Sequence, residues 1–287
     1  MSFEVYKILS RKDLEDAIKF IHKNNFSLKT TVDKISLNFD KKILGLMIKD
    51  NGKIVGNIFY YYQPDFNFNN RIYKVVNFAT IFVQESYRGK GISKLMLEKT
   101  LEIFKDYIIT DYTPVGSIMH ILKKFNFGFM KNNRNLIFPI PLIKFDIFKN
   151  FFGKISKVED REIIKNTFKN LEKYRHYEIN LWNYTRGKEN LIIGIVDREH
   201  IKKFGSLKIK LKSKRVLWSN NDELLLKYSN NIAFNFSLLD KIQFITIDTE
   251  SDNRPIFSVK LKNQFMMFPK LETKVPTYGS EFFSDNL

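Results

Sequence analysis

The sequence has no cysteine, few glycines and prolines, and fewer acidic than basic side chains. The absence of cysteine excludes disulfide bonds, thiol nucleophiles and thiolate metal ligands. No uninterrupted apolar run reaches membrane-spanning length, and the opening residues MSFEVYKILSRKDLED contain no apolar signal core. We therefore expect a cytoplasmic protein without a membrane span.

The charge balance is strongly basic, with 48 Lys and Arg against 31 Asp and Glu and a net charge of +17. The basic residues are mostly lysines spread along the whole chain, which is also rich in Asn, Ile, Phe and Tyr, as an A/T-rich genome encodes. Because they form no stripe or known motif, the pattern disfavours a nucleic-acid partner. It is compatible with an anionic small molecule or an acidic carrier protein.

The 287 residues exceed one typical domain, and a 44% hydrophobic content is enough for a proper core. In the first half, Ser10 is a candidate N-cap for a helix, and Asn51-Gly52 between two apolar runs predicts a hairpin turn. The remaining patterns predict strands at Phe3–Leu9, Ile72–Val83 and Asp106–Thr113, helices at Arg11–His22, Val32–Phe39 and Ser117–Phe125, and short strands in FGFM and NLIFPI that close this half.

The second half begins with an apolar, lysine-interrupted segment, 141–158, which we interpret as a linker helix. Beyond it, the patterns predict helices at Glu162–Tyr174 and Asp222–Ala233 and strands at Leu191–Val196, around Val216 and at Lys241–Asp248. The four histidines are scattered, so no metal site is expected.

A glycine-rich basic turn, Arg88-Gly89-Lys90-Gly91-Ile92-Ser93, follows the Ile72–Val83 strand and opens a helical pattern. The first N–H groups of a helix have no internal partner, and the helix dipole adds partial positive charge there. Glycines let the backbone approach a phosphate closely. Neither GxxxxGK[ST] nor GxGxxG is present, so the turn differs from the common nucleotide-binding motifs.

The order of elements over residues 1–140 and the segment VQESYRGKGISKLMLE resemble the GNAT N-acetyltransferase superfamily. Arg88, Gly91 and Ser93 fall on the family's R/Q-x-x-G-x-G/A signature, with Ser93 in place of the usual Gly or Ala. HILKKFNFGF is similar to the family's final helix and the strand after it. The resemblance implies an α/β fold: a mixed, mostly antiparallel sheet with splayed central parallel strands, flanked by helices.

The resemblance also implies an acyl-CoA site between the strands Ile72–Val83 and Tyr107–Asp111. The pantetheine arm would pair with the backbone of Ile81, Phe82 and Val83, and a backbone N–H on that strand would stabilise the oxyanion. The pyrophosphate would lie on the turn, and the implied cofactor-binding residues there are Arg88, Gly89, Lys90, Gly91, Ile92 and Ser93.

The catalytic residues are less well defined. Leu122 stands where the family often has a Tyr that protonates the thiolate, Asn126 replaces a Gly, and Val115 replaces an Asn. Tyr112, His120 and Glu85 are the catalytic candidates, with Asp111 as another nearby carboxylate.

The chain therefore predicts domains at 1–140 and 159–287 joined by 141–158, the second being a degenerate GNAT copy or an unrelated α+β lobe. We expect an N-acyltransferase that moves an acetyl or other short acyl group from acyl-CoA to a primary amine, with an amino sugar or nucleotide-linked amino sugar as the candidate acceptor. The alternatives are an acyltransferase with an acyl-carrier-protein donor and a non-catalytic CoA-binding protein.

Overall fold

The fold is taken from a computed structural model of the 287-residue chain. The structure describes residues 3–24, 43–111, 116–130, 133–139, 153–160, 162, 179–204, 207–249, 255, 258–260 and 266–271. Within these residues, no helix combines the length and the apolar character that a membrane crossing requires.

The chain divides into two compact units, each built on its own seven-stranded sheet. The first unit contains 1–130 and 264–287, and the second contains 131–263. This division differs from the expected boundaries in two respects. The first unit ends ten residues earlier than the predicted 140, and the C-terminal residues return to it.

The first sheet has the strand order β1-β2-β3-β4-β5-β14-β6. Its strands are β1 (Glu4–Ile8), β2 (Gly45–Asp50), β3 (Lys53–Phe68), β4 (Arg71–Val83), β5 (Tyr107–Asp111), β6 (Gly128–Phe129) and β14 (Met266–Phe268). Neighbouring strands are antiparallel except β4 and β5, which are parallel. Asn51 and Gly52 both have positive φ between β2 and β3, as the hairpin prediction requires.

Within the described part of this unit, three helices flank the sheet: α1 (Arg11–Lys23), α2 (Ile92–Ile103) and α3 (Gly116–Lys124). Ser10 caps α1 through a reciprocal capping box with Asp13, which confirms the predicted start. One core cluster packs α2 on one face of the sheet, and another packs the buried side of α1 against β2 and β3.

The second sheet has the order β13-β7-β12-β11-β10-β9-β8. Its strands are β7 (Asn133–Ile137), β8 (Lys154–Lys157), β9 (Asn180–Arg186), β10 (Glu189–Phe204), β11 (Leu207–Ser219), β12 (Phe244–Thr249) and β13 (Ser258–Lys260). Helix α4 (Asp222–Asp240) connects β11 to β12, which are parallel, and packs on the sheet through the second unit's core.

The two sheets share one topology. Across each sheet, four antiparallel strands are followed by a parallel strand, reached through a helix, and then by two short antiparallel strands. Along the chain, β7 precedes the other strands of the second sheet. The third and fourth strands also match in length, at 16 and 13 residues. The predicted fold class is confirmed, and the two sheets have the same spatial order of strands.

Several local predictions need correction. The strand in NLIFPI, β7, belongs to the second sheet, where it pairs with β12 and β13. The linker-helix prediction is wrong for Lys154–Lys157, which form β8 and pair with β9. Ile155 packs against the core and its neighbours Lys154 and Ser156 face away, as side chains alternate along a strand. Residues 140–152, the predicted helix at Val32–Phe39 and most of Glu162–Tyr174 lie outside the described residues.

Gly45 provides a stability test of the first sheet. A Cβ at Gly45 would lie 2.3 Å from the Ile58 carbonyl oxygen and 3.2 Å from Phe59 Cα, which are backbone atoms that cannot move aside cheaply. We expect Gly45→Ala to lower the free energy of unfolding by about 3 kcal/mol, as overpacking does.

Urea unfolding followed by far-UV circular dichroism measures this loss, because both tryptophans lie in the second unit. The control is Gly116→Ala, where the added Cβ meets no atom within 4 Å. Equal midpoints for the two variants would contradict the close packing at Gly45.

Candidate functional site

The parallel strands β4 and β5 pair over only part of β4. Their four residue pairs run from Lys74–Tyr107 to Asn77–Thr110. Beyond Asn77, β4 continues to Val83 and pairs with β3, whereas β5 ends at Asp111. Among the described residues, no strand pairs with the other edge of β4 after Asn77. This open edge includes Ile81, Phe82 and Val83, the residues predicted to pair with pantetheine.

A bulge lies within this open segment. Asn57 on β3 pairs with Phe82 and Phe59 pairs with Ala79, so β4 has one extra residue between them. Thr80, inside the bulge, has φ of +56°, which is uncommon for a β-branched residue. The bulge shifts the alternation of side chains along β4. Val76 and Phe78 before the bulge and Ile81 and Val83 after it all pack on the α2 side of the sheet.

The predicted glycine turn connects β4 to α2. Gly89 and Gly91 have φ of +79° and +81°, and a Cβ at either would meet no atom within 4 Å. Gly91 is the N-cap of α2 and supplies no side-chain cap. The N–H groups of the first helical turn therefore lack a capping side chain and lie next to open space, as a bound pyrophosphate requires.

Tyr87 connects the turn to the end of β2. It lies in a single-turn 3₁₀ helix, Glu85–Tyr87, just before the turn. The Tyr87 hydroxyl donates to Asp50 Oδ2 at 3.0 Å, and this hydrogen bond raises the pKa of Tyr87. Lys90 Nζ lies 4.5 Å from the centre of the Tyr87 ring. Arg88 Nε donates to the Val83 carbonyl at 3.4 Å, and its side chain is 61% exposed. Two cations thus accompany the uncapped turn.

Helix α2 is held close to the sheet. A Cβ on Gly56 of β3 would lie 3.0 Å from Ile92 Cγ2, so glycine permits the close approach. Further along, the Tyr60 and Thr100 hydroxyls are 2.7 Å apart, and the Thr100 hydroxyl also donates to the Met96 carbonyl. Burial raises the pKa of Tyr60 well above its usual range, so this phenol stays protonated. The N-terminus of α2 is thereby fixed relative to β4.

The catalytic candidates are not brought together by the described structure. Glu85 is in the 3₁₀ helix with its side chain 90% exposed, 4.0 Å from Arg88. His120 is exposed on α3, and Tyr112 lies outside the described residues. Leu122, which the resemblance places at the Tyr position, is fully buried in the core. The roles of Glu85, His120 and Tyr112 therefore remain predictions.

The structure adds buried polar residues that the sequence analysis did not select. Thr110 donates to Asn77 Oδ1 at 3.4 Å in the last parallel pair, and both side chains are buried. Asn57 is fully buried beside the bulge. In the sequence, these residues are marked only as polar residues within apolar strands. That pattern does not show which neighbouring groups they contact.

The corresponding turn in the second unit is different. Strand β11 ends at Ser219 and α4 starts at Asp222. The Asn221 side chain accepts from the Leu224 N–H, and the first turn carries Asp222 and Glu223. This helix end is capped and acidic, so it is unsuited to a phosphate. The TRGKEN segment forms the β9–β10 hairpin turn, with Gly187 at φ of +59°.

The second unit also carries a buried ion cluster beside its parallel strand pair. Asp248 on β12 contacts Arg134 on β7 at 2.9 and 3.2 Å and Arg215 on β11 at 2.7 Å. All three side chains are mostly buried. Within the described residues, no group of three or more Asp, Glu, His or Cys side chains could hold a metal ion.

A family model described as the acetyltransferase (GNAT) family matches residues 12–113. This match contains α1, the open edge of β4 and the glycine turn. No match was found among curated protein sequences.

Solved structures resemble both units, because the similarity covers 93% of this chain. A GCN5-related N-acetyltransferase from Anabaena variabilis matches with a TM-score of 0.62 at 9% identity over 72% of its chain. The N-myristoyltransferase of Saccharomyces cerevisiae, solved with bound myristoyl-CoA, gives 0.51 at 12% over 78%. A fungal GCN5-related glucosamine N-acetyltransferase region gives 0.57 at 13% over 38%. At these identities the similarity establishes the fold.

Arg88 provides a test of the turn as an anion site. We expect Arg88→Ala to weaken CoA binding roughly tenfold, which is the loss of about 1.4 kcal/mol from a charge-assisted contact to pyrophosphate. Isothermal titration calorimetry measures the dissociation constant.

The matched control is Arg11→Ala on α1. Arg11 is similarly exposed, at 64%, and likewise pairs with one nearby glutamate, Glu15. The two variants lose the same charge, so equal CoA affinities would show that Arg88 acts only through net charge.

Proposed function

We propose that residues 12–113, which match the acetyltransferase (GNAT) family model, form an N-acetyltransferase domain, and that the protein transfers an acyl group from acyl-CoA to a primary amine. The ammonium form of the acceptor first loses a proton, and the neutral amine nitrogen then attacks the thioester carbonyl. The C–N bond forms, the C–S bond breaks, and the second amine proton leaves as the amide forms. The departing thiolate takes up one proton. The products are an amide and CoA, with one proton released from the ammonium form of the acceptor.

The observation that carries this proposal is the uncapped glycine turn directly after an open strand edge. The N–H groups of Gly89 and of Gly91, Ile92 and Ser93, together with the Arg88 side chain, hold the pyrophosphate. The Lys90 N–H donates to the Tyr87 carbonyl at 3.4 Å, so Lys90 contributes its side-chain charge. The backbone of Ile81–Val83 pairs with the pantetheine arm, because that edge of β4 has no described strand partner. The pyrophosphate and the pantetheine arm are both bound through backbone groups of this chain. At the turn, the space beside Gly89 and Gly91 is open.

We assign the acyl donor as acetyl-CoA or another short acyl-CoA, and the acceptor as a small-molecule amine such as an amino sugar or a nucleotide-linked amino sugar. The fold similarity to a glucosamine N-acetyltransferase region supports an amino sugar as the first acceptor to test. The net charge of +17 suits an acceptor that carries phosphate.

Proton transfer does not require the family's Tyr. A thiol has an ordinary pKa of about 8.5, so water can protonate the departing thiolate. Glu85, His120 and Tyr112 remain the candidates for deprotonating the amine. Burial of Leu122 supports a reaction without a Tyr acid at that position.

A thermal-shift titration tests the donor. We expect acetyl-CoA at a hundredfold its dissociation constant to stabilise the protein by about 2.7 kcal/mol, which raises Tm by roughly 5–10 °C. Longer acyl-CoAs and free CoA are compared in parallel, and the donor with the largest shift then enters a screen of amines read by thiol release. Gly91→Glu should abolish the shift, because it puts a carboxylate into the phosphate cradle.

The outcomes separate the alternatives. A shift without acyl transfer to any amine supports a non-catalytic CoA-binding protein. No shift with any CoA species contradicts the proposal, and acyl transfer from carrier-protein donors alone supports the carrier-dependent enzyme. Gly187→Glu is the control for Gly91→Glu, because it introduces the same side chain at a positive-φ glycine in the second unit.

A further inference from the structure

The bulge in β4 is held by one side chain from the neighbouring strand. Asn57 on β3 donates from Nδ2 to the Thr80 carbonyl oxygen at 3.3 Å. Thr80 is the bulge residue with φ of +56°, a conformation that a β-branched residue disfavours. Because Thr80 would relax toward extended backbone, this hydrogen bond helps to retain the bulge.

Packing in the core does not explain why residue 57 is an asparagine. It is fully buried, and its Oδ1 has no hydrogen-bond partner among the described residues. A buried amide that leaves one polar atom unsatisfied is a weak stabiliser, because the desolvation cost of the free oxygen offsets the hydrogen bond that the amide makes. The hydrogen bond to Thr80 is therefore the feature of Asn57 that needs an explanation.

Peptide geometry links Asn57 to the open edge. The Thr80 carbonyl and the Ile81 N–H belong to one peptide unit, and in a trans peptide they point in opposite directions. Within the described residues, the one cis bond is Phe268–Pro269, so the Thr80–Ile81 bond is trans. Since the carbonyl points to Asn57 on β3, the Ile81 N–H points away from β3. That is the side on which β4 has no described strand partner.

We propose that Asn57 is a positioning residue that fixes the Thr80–Ile81 peptide and thereby presents the Ile81 N–H to the acyl carbonyl oxygen of the bound thioester. This inference rests on the proposed function. The N–H stabilises the negative charge that develops on that oxygen when the amine attacks, and one such donor typically changes kcat by about 10²–10³-fold. Asn57 itself touches no reacting atom.

The first test replaces the amide with an apolar side chain of similar size. In Asn57→Leu we expect kcat to fall at least tenfold, the dissociation constant of acetyl-CoA to change less than threefold, and Tm to change little, because loss of the bond to Thr80 is offset by removal of the unsatisfied Oδ1. A loss of kcat without loss of stability separates positioning from a structural role. The control is Gln63→Met, because Gln63 is a buried amide on the same strand, bonded to the Tyr61 carbonyl, with its Oε1 unpartnered.

A second change tests the strained residue directly. Glycine adopts φ of +56° without a Cβ penalty, so Thr80→Gly should hold the bulge without help from Asn57. The double variant Asn57→Leu/Thr80→Gly should therefore recover most of the lost kcat. Equal kcat in Asn57→Leu and Gln63→Met, or additive losses in the double variant, would overturn the inference.

A binding measurement keeps this inference separate from the transfer reaction. In protein labelled with ¹⁵N-isoleucine, we expect the Ile81 amide resonance, assigned through Ile81→Val, to shift downfield with acetyl-CoA and much less with free CoA. Asn57→Leu should remove that difference. If Ile81 responds but no amine is acylated, the proposed enzyme activity fails and the inference stands. If acetyl-CoA binds and Ile81 does not respond, the inference alone fails. If no CoA species binds, both fail.

Discussion

The short parallel pairing between β4 and β5 is the constraint on which the first unit's site depends. A parallel neighbour must be reached through a crossover, here α2, and the two strands are joined by only four residue pairs. Past Asn77, β4 follows β3 instead, and its other edge is left without a described partner. The same divergence leaves space for a wide turn, residues 84–91, before α2 begins. The open strand edge and the uncapped helix N-terminus thus lie on either side of one connection, and the cap is missing because Gly91 has no side chain to supply it.

The second unit shows that this topology does not by itself make a ligand site. Its parallel strands β11 and β12 also share four residue pairs. There, however, the connection to the helix is short, Asn221 caps the helix, and acidic residues follow at once. Arg134, Asp248 and Arg215 form a buried ion cluster on three adjacent strands of this sheet. A buried ion cluster adds little net stability, but separating its members would leave an uncompensated buried charge. The cluster therefore favours the observed pairing of these strands over other registers.

The sequence predicted what depends on local contacts. Ser10 and Asp13 form a capping box across one helical turn, and Asn51-Gly52 forms a hairpin turn because both residues tolerate positive φ. The glycine turn was recognisable for the same reason, since its geometry follows from adjacent residues.

What the sequence did not predict depends on contacts between distant residues. Nothing in NLIFPI specifies that it pairs with β12, and Met266–Phe268 is too short to carry a strand signal of its own. Thr80 favours extended backbone by type, so its positive φ is imposed by the register on both sides of it. The importance of Asn57 becomes visible only when the carbonyl it contacts is known.

The place of β14 in the first sheet determines when that sheet can be completed during synthesis. β14 lies between β5 and β6 and supplies hydrogen bonds to both, yet the ribosome makes it after all of the second unit. At translation rates of about 5–20 residues per second, residues 131–263 take roughly ten seconds to emerge. Throughout that interval the nascent first unit exposes unpaired edges on β5 and β6. Unpaired strand edges invite chaperone binding and mispairing, so we expect the expression yield of this protein to depend on how soon β14 joins the sheet.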